Sequence, residues 1–346
     1  MAEEGFNLPA DFYKPDIDNM RQAILQMPEH SEQGYKLAEA LDLGRANGKY
    51  DSVVIAGMGG SAIAGLLLKG FLADQPLMMD VVQDYSLPLW VNKQTLVIAC
   101  SYSGNTEETL SVYKEARRKG CEVIAVTTGG KLEEYANVSK LIVVNIPTGF
   151  QPRAALAYQF FALLRILEKL RLVESKAKDV LRLKDDLKAQ LQGLERNAIL
   201  LSEKLLHKTP LIYAGKRFEA ISYRWKCQFN ENSKIMAFNH VFSEMNHNEL
   251  AGFDNLTGSY YAVLLKFDED HRRIQKRMTL TKEIMLRKGV SATEIAIHGA
   301  SLLSKIFSAI ILGDLTSYYL ALRLRTDPSA VAIIEDFKEK LGQCVA

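Results

Sequence analysis

Two short stretches concentrate groups that bind anions. "SYSGNT" (101–106) sets Ser101, Ser103 and Thr106 around Gly104, giving three hydroxyls able to donate to a charged oxygen. "AGMGGSAIAG" (56–65) sets Gly57, Gly59 and Gly60 ahead of Ser61, so the backbone can approach a ligand closely where a helix begins. Neither stretch holds a lysine, whereas a P-loop requires Gly-Lys-Ser/Thr. What remains is a neutral cradle suited to one phosphate monoester. Hydrogen bonds to a charged oxygen contribute about 1.5–3 kcal/mol each, so three or four hold a small phosphorylated molecule firmly. The plainer reading of "SYSGNT" is a polar turn with Asn105 or Thr106 capping a helix, but one cap does not call for three hydroxyls. "GMGGSA" (57–62) also fits the dinucleotide pattern G-x-G-x-x-A, with Asp80 or Asp84 at the ribose offset. The second hydroxyl cluster and the lack of a recognisable redox residue set weigh against that alternative.

Both stretches need strand ends and helix starts to aim them. "SVVIAG" (52–57), "LMMDVV" (77–82), "TLVIAC" (95–100), "EVIAVT" (122–127) and "KLIVVNI" (140–146) read as strands, with helix-like segments between them. Strands this uniformly apolar are covered on both faces, which predicts a parallel sheet with crossover helices. The pattern restarts at "TPLIYAGKRFEAISYRWKCQFNE", which echoes "DSVVIAGMGGSAIAGLLLKGFLA". Further strands are expected at 234–238, 260–267 and 292–297, and "LLSKIFSAIILGDLTSYYLALRL" closes the unit as a long buried helix. The chain is therefore read as α/β, two doubly wound parallel-sheet units related by internal duplication. The expected organisation is an N-terminal helical arm (1–49), a first, phosphate-binding unit (50–150), connecting helices (151–206) and a second unit with C-terminal helices (207–346). In the arm, Met20, Ile24, Leu25, Leu37 and Leu41 are spaced for burial.

Composition bounds the partners. The 346 residues carry 43 basic and 41 acidic side chains, a net charge of +2, with no polybasic run to favour nucleic acid or a membrane surface. Cys100, Cys121, Cys227 and Cys344 fit no metal-ligand spacing, and Cys100 and Cys121 read as core hydrophobes. With no signal-like start and no apolar run approaching a membrane span, the expected setting is cytoplasmic and reduced.

"GMGGSAIAG" with "SYSGNTEETL" resembles the sugar isomerase (SIS) domain, which binds phosphosugars. "FQPRAAL" (150–156), "FNENSK" (229–234) and "MNHNELAGF" (245–253), in that order, narrow the resemblance to the bifunctional phosphoglucose/phosphomannose isomerases of archaea and bacteria. The resemblance runs from about residue 50 onward, and segment 174–206 carries no motif of it. It implies cofactor-free, reversible conversion of glucose 6-phosphate or mannose 6-phosphate to fructose 6-phosphate through a cis-enediolate. Carried over, Ser61, Ser101, Ser103 and Thr106 bind the phosphate, with Gly60 close to the sugar. Glu231 is the base between C1 and C2, Arg153 stabilises the enediolate, and His247 assists ring opening. Lys338 is the lysine partner of that step, with Lys340 as the fallback. The resemblance also implies a homodimer in which His247 reaches the neighbouring subunit's site.

These residue types suit the chemistry. Ring opening needs a proton donor and an acceptor, a role for a histidine titrating near neutrality with a lysine. A carboxylate then moves a carbon-bound proton, and a guanidinium offsets charge on the enediolate oxygens without joining the proton traffic. No metal or redox carrier is required, and the sequence offers no evident site for either. Glu244 and Glu249 remain rivals for the base, Glu249 also as an orienting group, and His240 for ring opening; His298 reads as structural or interfacial. Two other classes compete: a non-catalytic phosphosugar sensor, though residues 1–45 lack a basic helix-turn-helix, and the isomerase half of a glucosamine-phosphate synthase, whose N-terminal cysteine nucleophile has no counterpart before Cys100.

Overall fold

The computed structural model describes residues 8–46 and 49–343; Cys344 and the first seven residues of the arm lie outside the described residues. The first sheet comprises β1 (Ser52–Ala56), β2 (Met78–Val82), β3 (Thr95–Ser101), β4 (Glu122–Thr127) and β5 (Ile142–Asn145), all parallel, in the order β2-β1-β3-β4-β5. Its crossover helices are α3 (Gly59–Phe71), α4 (Glu107–Arg118) and α5 (Gly130–Val138), preceded in the arm by α1 (Met20–Leu25) and α2 (Met27–Glu39). Alternate strand residues face opposite ways. Val54, Ala56, Val97, Ala99, Val123 and Ala125 meet α4 and α5, while Val53, Ile55, Leu96 and Ile98 face the centre of the molecule.

The second sheet repeats the plan. β6 (Thr209–Gly215), β7 (Phe238–Phe242), β8 (Tyr260–Lys266) and β9 (Ser291–Ala296) are parallel in the order β7-β6-β8-β9, the first four positions of the first sheet again. Two doubly wound units thus come from one duplicated pattern. Four further helices, α6 (Leu156–Lys169), α8 (Glu219–Glu231), α9 (Arg272–Arg287) and α10 (Leu302–Arg323), complete the layers, and α11 (Ala332–Gln343) follows. One continuous apolar core joins both sheets through α3, α6, α8 and α10, with Phe160, Phe161, Trp225 and Phe307 fully buried in it.

Two expectations, the strand at 234–238 and the absence of a run long enough to span a membrane, are corrected. The strand placed at 234–238 lies instead at Phe238–Phe242. It is an edge strand with only Val241 and Phe242 buried, so it lacks the two-sided apolar run that marks a central strand. Within 151–206, the charged stretch 174–206 forms α7 (Ala177–Leu205), a single helix about 44 Å long. Its buried residues include Val180, Leu183, Leu187, Ala198, Ile199, Leu201 and Leu205, and it packs along α10 and α2. Finally, α10 is long and apolar enough to cross a membrane by length and composition alone, yet 94% of that window is buried within the protein. It is a core helix.

Candidate active site

β1 has β2 on one side and β3 on the other, so the crossovers from β1 and β3 diverge and leave a crevice at their carboxyl ends. Both hydroxyl stretches lie there. Ser101 ends β3 and is buried, and its Oγ lies 2.9 Å from Thr106 Oγ1. The turn closes with the Gly104 amide donating to the Ser101 carbonyl at 3.1 Å. Gly104 has φ 70°, and a Cβ there would lie 1.7 Å from the Gly129 carbonyl oxygen, so no other residue fits. Ser103 is exposed at the tip, and its Oγ accepts from the Asn105 amide. Thr106 is the N-cap of α4 by position, but its side chain makes no cap bond, and no side chain caps α3 either. Two helix starts thus lack side-chain caps in a corner lined by Ser61, Ser101 and Thr106, which leaves first-turn amides without a side-chain acceptor there.

Pro152–Ala155 forms a short helical turn against the start of α3. A Cβ on Gly60 would lie 2.9 Å from the Pro152 carbonyl oxygen and 3.2 Å from the Arg153 Cα, so glycine allows this contact. Tyr102 pins the approach: its hydroxyl donates to the Pro147 carbonyl at 3.0 Å and accepts from the Phe150 amide at 3.0 Å. Arg153, 3% exposed, is then held on several sides. Its Nε donates to Asn232 Oδ1 at 2.8 Å, and its Nη2 donates to the carbonyls of Pro328 at 2.8 Å and Ser329 at 2.7 Å. Its Nη1 reaches the Glu231 carboxylate at 3.4 Å. Burial pulls the guanidinium below its ordinary value while Glu231 opposes that; it stays charged. Behind it, the buried Arg224 pairs with Asp314 of α10 through Nε–Oδ1 at 3.0 Å and Nη2–Oδ2 at 2.5 Å, and Nη2 also donates to the Arg153 carbonyl at 3.0 Å.

The chain therefore brings Gly60, Ser61, Ser101, Thr106, Arg153 and Glu231 to one region. Glu231 is the last residue of α8 and half-buried; Cys227, one turn earlier, has its thiol pushed up by burial. Among the described residues, no hydrogen bond or ion pair joins His247 or Lys338 to this group. His247 is exposed on the short turn Glu244–His247 after β7, and Lys338 is exposed on α11. The fallback Lys340 pairs with Asp336 at 2.7 Å. The rival acids lie elsewhere: Glu244 accepts from Asn248 at 2.9 Å, and the buried Tyr213 donates to Glu249. His240 Nδ1 accepts from the Val241 amide at 2.8 Å on the edge strand, and His298 is exposed after β9. Asp80, the ribose candidate, is held by Lys69 at 2.9 Å. Sequence reasoning missed Asn232, Lys234, Arg224, Asp314 and the 327–329 carbonyls. Only Asn232 and Lys234 had a signal, since both belong to "FNENSK".

At the second unit's equivalent corner an acid takes the place of the glycine turn. Asp270 makes the turn that Gly104 makes in the first unit, its amide donating to the Phe267 carbonyl at 3.1 Å. Its carboxylate turns back to accept from the Phe267 amide at 3.2 Å, and Oδ1 lies 1.9 Å from where a Gly215 Cβ would be. Burial pushes that carboxyl up to about 6. Phe218 stacks on Phe267 with centroids 3.7 Å apart. Duplication kept the scaffold, while the crevice at these strand ends is lined by Lys216, Glu219, His240 and Asp270 in place of the hydroxyls.

Residues 194–341 match the bacterial phospho-glucose isomerase C-terminal SIS domain. The bifunctional phosphoglucose/phosphomannose isomerase of Caldicellulosiruptor bescii is 41% identical over 338 residues, 94% of this chain and 99% of that protein. The enzyme of the same name from Thermoplasma volcanium is 37% identical, covering 85% of this chain and 93% of its own length. In fold, the chain is similar to the C-terminal domain of glucosamine-fructose-6-phosphate aminotransferase from Francisella tularensis. That match has a TM-score of 0.72 at 17% identity and covers 90% of this chain and 97% of that one. With a doubled parallel-sheet unit, an uncapped hydroxyl corner and relatives this similar end to end, the chain belongs to the bifunctional phosphoglucose/phosphomannose isomerase family.

Proposed function

We propose that this chain interconverts glucose 6-phosphate and mannose 6-phosphate with fructose 6-phosphate, with the first unit (50–150) gripping the phosphate. The observation that supports it most is the buried Arg153 held against the Glu231 carboxylate beside the hydroxyl corner. Ser61, Ser101, Ser103, Thr106 and the first amides of α3 and α4 take the phosphate, and the sugar extends past Gly60 toward Arg153. Glu231 removes the proton at C2 of the open-chain aldose and returns it to C1, and the reverse from the ketose. Arg153 presents Nη1 to the enediolate oxygens; its other edges are spent on Asn232, Pro328 and Ser329, which fixes the direction of its charge before reaction. Steady-state assays with both aldoses and with fructose 6-phosphate test this; binding of all three without turnover would refute it.

Phosphate contacts act in the ground state as well as at the barrier. Ser101→Ala is therefore expected to raise KM about tenfold for each sugar while kcat changes much less.

Ring opening falls to His247 and Lys338. The family resemblance implies that His247 serves the site of a second copy, and its exposure, with no hydrogen bond or ion pair to its own chain's Glu231 among the described residues, supports that reading. Glu231→Gln and His247→Ala, each inactive alone, are then expected to complement when subunits are mixed. Random pairing makes half the dimers mixed, each with one intact site, so activity returns to roughly a quarter of the parent's. No recovery after subunit exchange would place each histidine in its own chain's site.

A further inference from the structure

Between α10 and α11 the chain crosses back over the end of α8, and three consecutive carbonyls there are held by two cations. Arg153 takes those of Pro328 and Ser329. Lys234 Nζ takes that of Asp327 at 2.7 Å, together with the Glu231 carbonyl at 2.6 Å and the Asn232 carbonyl at 3.3 Å. An ammonium has three donors, and all three are in use. The carbonyls of Glu231 and Asn232 are among those that a helix end leaves without partners, where a cation is favoured by the helix dipole. The strap is also internally set, with the Ser329 amide donating to Asp327 Oδ1 at 2.7 Å and Ser329 fully buried.

The contacts close a ring. Lys234 joins the end of α8 to the strap, the strap holds Arg153, and Arg153 returns to α8 through Asn232 Oδ1 and the Glu231 carboxylate. Asn232 is in turn fixed by donating to Ser317 Oγ of α10 at 3.0 Å. Lys234 has φ 55°, so the chain reverses there and its side chain can lie back across the helix end.

We propose that Lys234 is a positioning residue for the isomerisation: it latches the 327–329 strap to the end of α8, so that Arg153 and Glu231 are held together and α11 starts from a fixed point. This rests on Arg153 and Glu231 being the reacting pair. With its three donors given to carbonyls, Lys234 acts through the main chain that carries Glu231 and through the strap whose carbonyls orient Arg153.

The test compares Lys234→Met, Lys234→Gln and Lys234→Arg in the full chain, reading kcat and KM for fructose 6-phosphate and hydrogen exchange across 327–343. A misplacement near 1 Å costs about 10²-fold in rate. Lys234→Met is expected to lose kcat on that order with KM within about threefold of the parent. Exchange in 327–343 rises in the same variant, and arginine restores most of the turnover because it keeps the cation. Lys234→Gln stands in if the methionine variant does not fold. Retained kcat overturns the proposal, as does unchanged exchange in the strap. Glu231→Gln run alongside separates the two levels: if it keeps turnover, the pairing of Arg153 and Glu231 fails as chemistry, whatever the strap does.

Discussion

Glu231→Gln is expected to abolish isomerisation in both directions, by about 10²–10⁴-fold or more, with phosphosugar affinity close to the parent's. The amide keeps the shape of the carboxylate but cannot accept the proton that moves between the two carbons. The fold should tolerate the change. Arg153 loses one weak contact at 3.4 Å and keeps Asn232, Pro328 and Ser329, all within 2.8 Å. The phosphate corner, set by the Ser101–Thr106 and Gly104–Gly129 contacts, involves neither end of α8. Turnover from each sugar together with calorimetric titration of fructose 6-phosphate checks both halves. Substantial residual turnover would mean another base, and the geometry offers poor substitutes: Glu249 is tied to Tyr213, and Glu244 to Asn248.

Asp314→Ala is expected to cost about 3–5 kcal/mol of stability, the largest effect in the molecule away from the substrate. The pair it belongs to is 2% exposed on both sides and bidentate, so truncation strands the Arg224 guanidinium in an apolar interior. Denaturant unfolding should show the midpoint falling accordingly; a midpoint that hardly moves would show that water or a neighbour satisfies Arg224. Replacing both partners, Arg224→Met with Asp314→Leu, should recover much of the stability, because no charge is then left buried. It should not recover activity, since the bond from Arg224 to the Arg153 carbonyl is gone. Stability and turnover part company in that double variant, which separates the pair's two jobs.

Much of this molecule was legible along the chain. Two-sided burial makes a parallel strand apolar throughout, so β1, β3, β4 and β8 announce themselves, and a hydroxyl-rich turn at a strand end needs only its neighbours to be recognised. The doubled unit was visible for the same reason, because "LIYAG" and "VVIAG" obey one local rule. The edge strand β7 was misplaced because an edge buries only part of one face and so lacks that rule.

Tertiary structure alone decided which polar groups meet. Arg153 and Glu231 are 78 positions apart, and Arg224 and Asp314 are 90 apart; no periodicity links them. Their contact depends on how α6, α8 and α10 cross within one shared core, which side-chain packing settles. The same holds for the strap: three main-chain carbonyls carry no sequence signature, since every residue has one, and only the folded path shows two cations closing on them. Local chemistry was written in residue order; the partners of buried charge were chosen by the packing of helices.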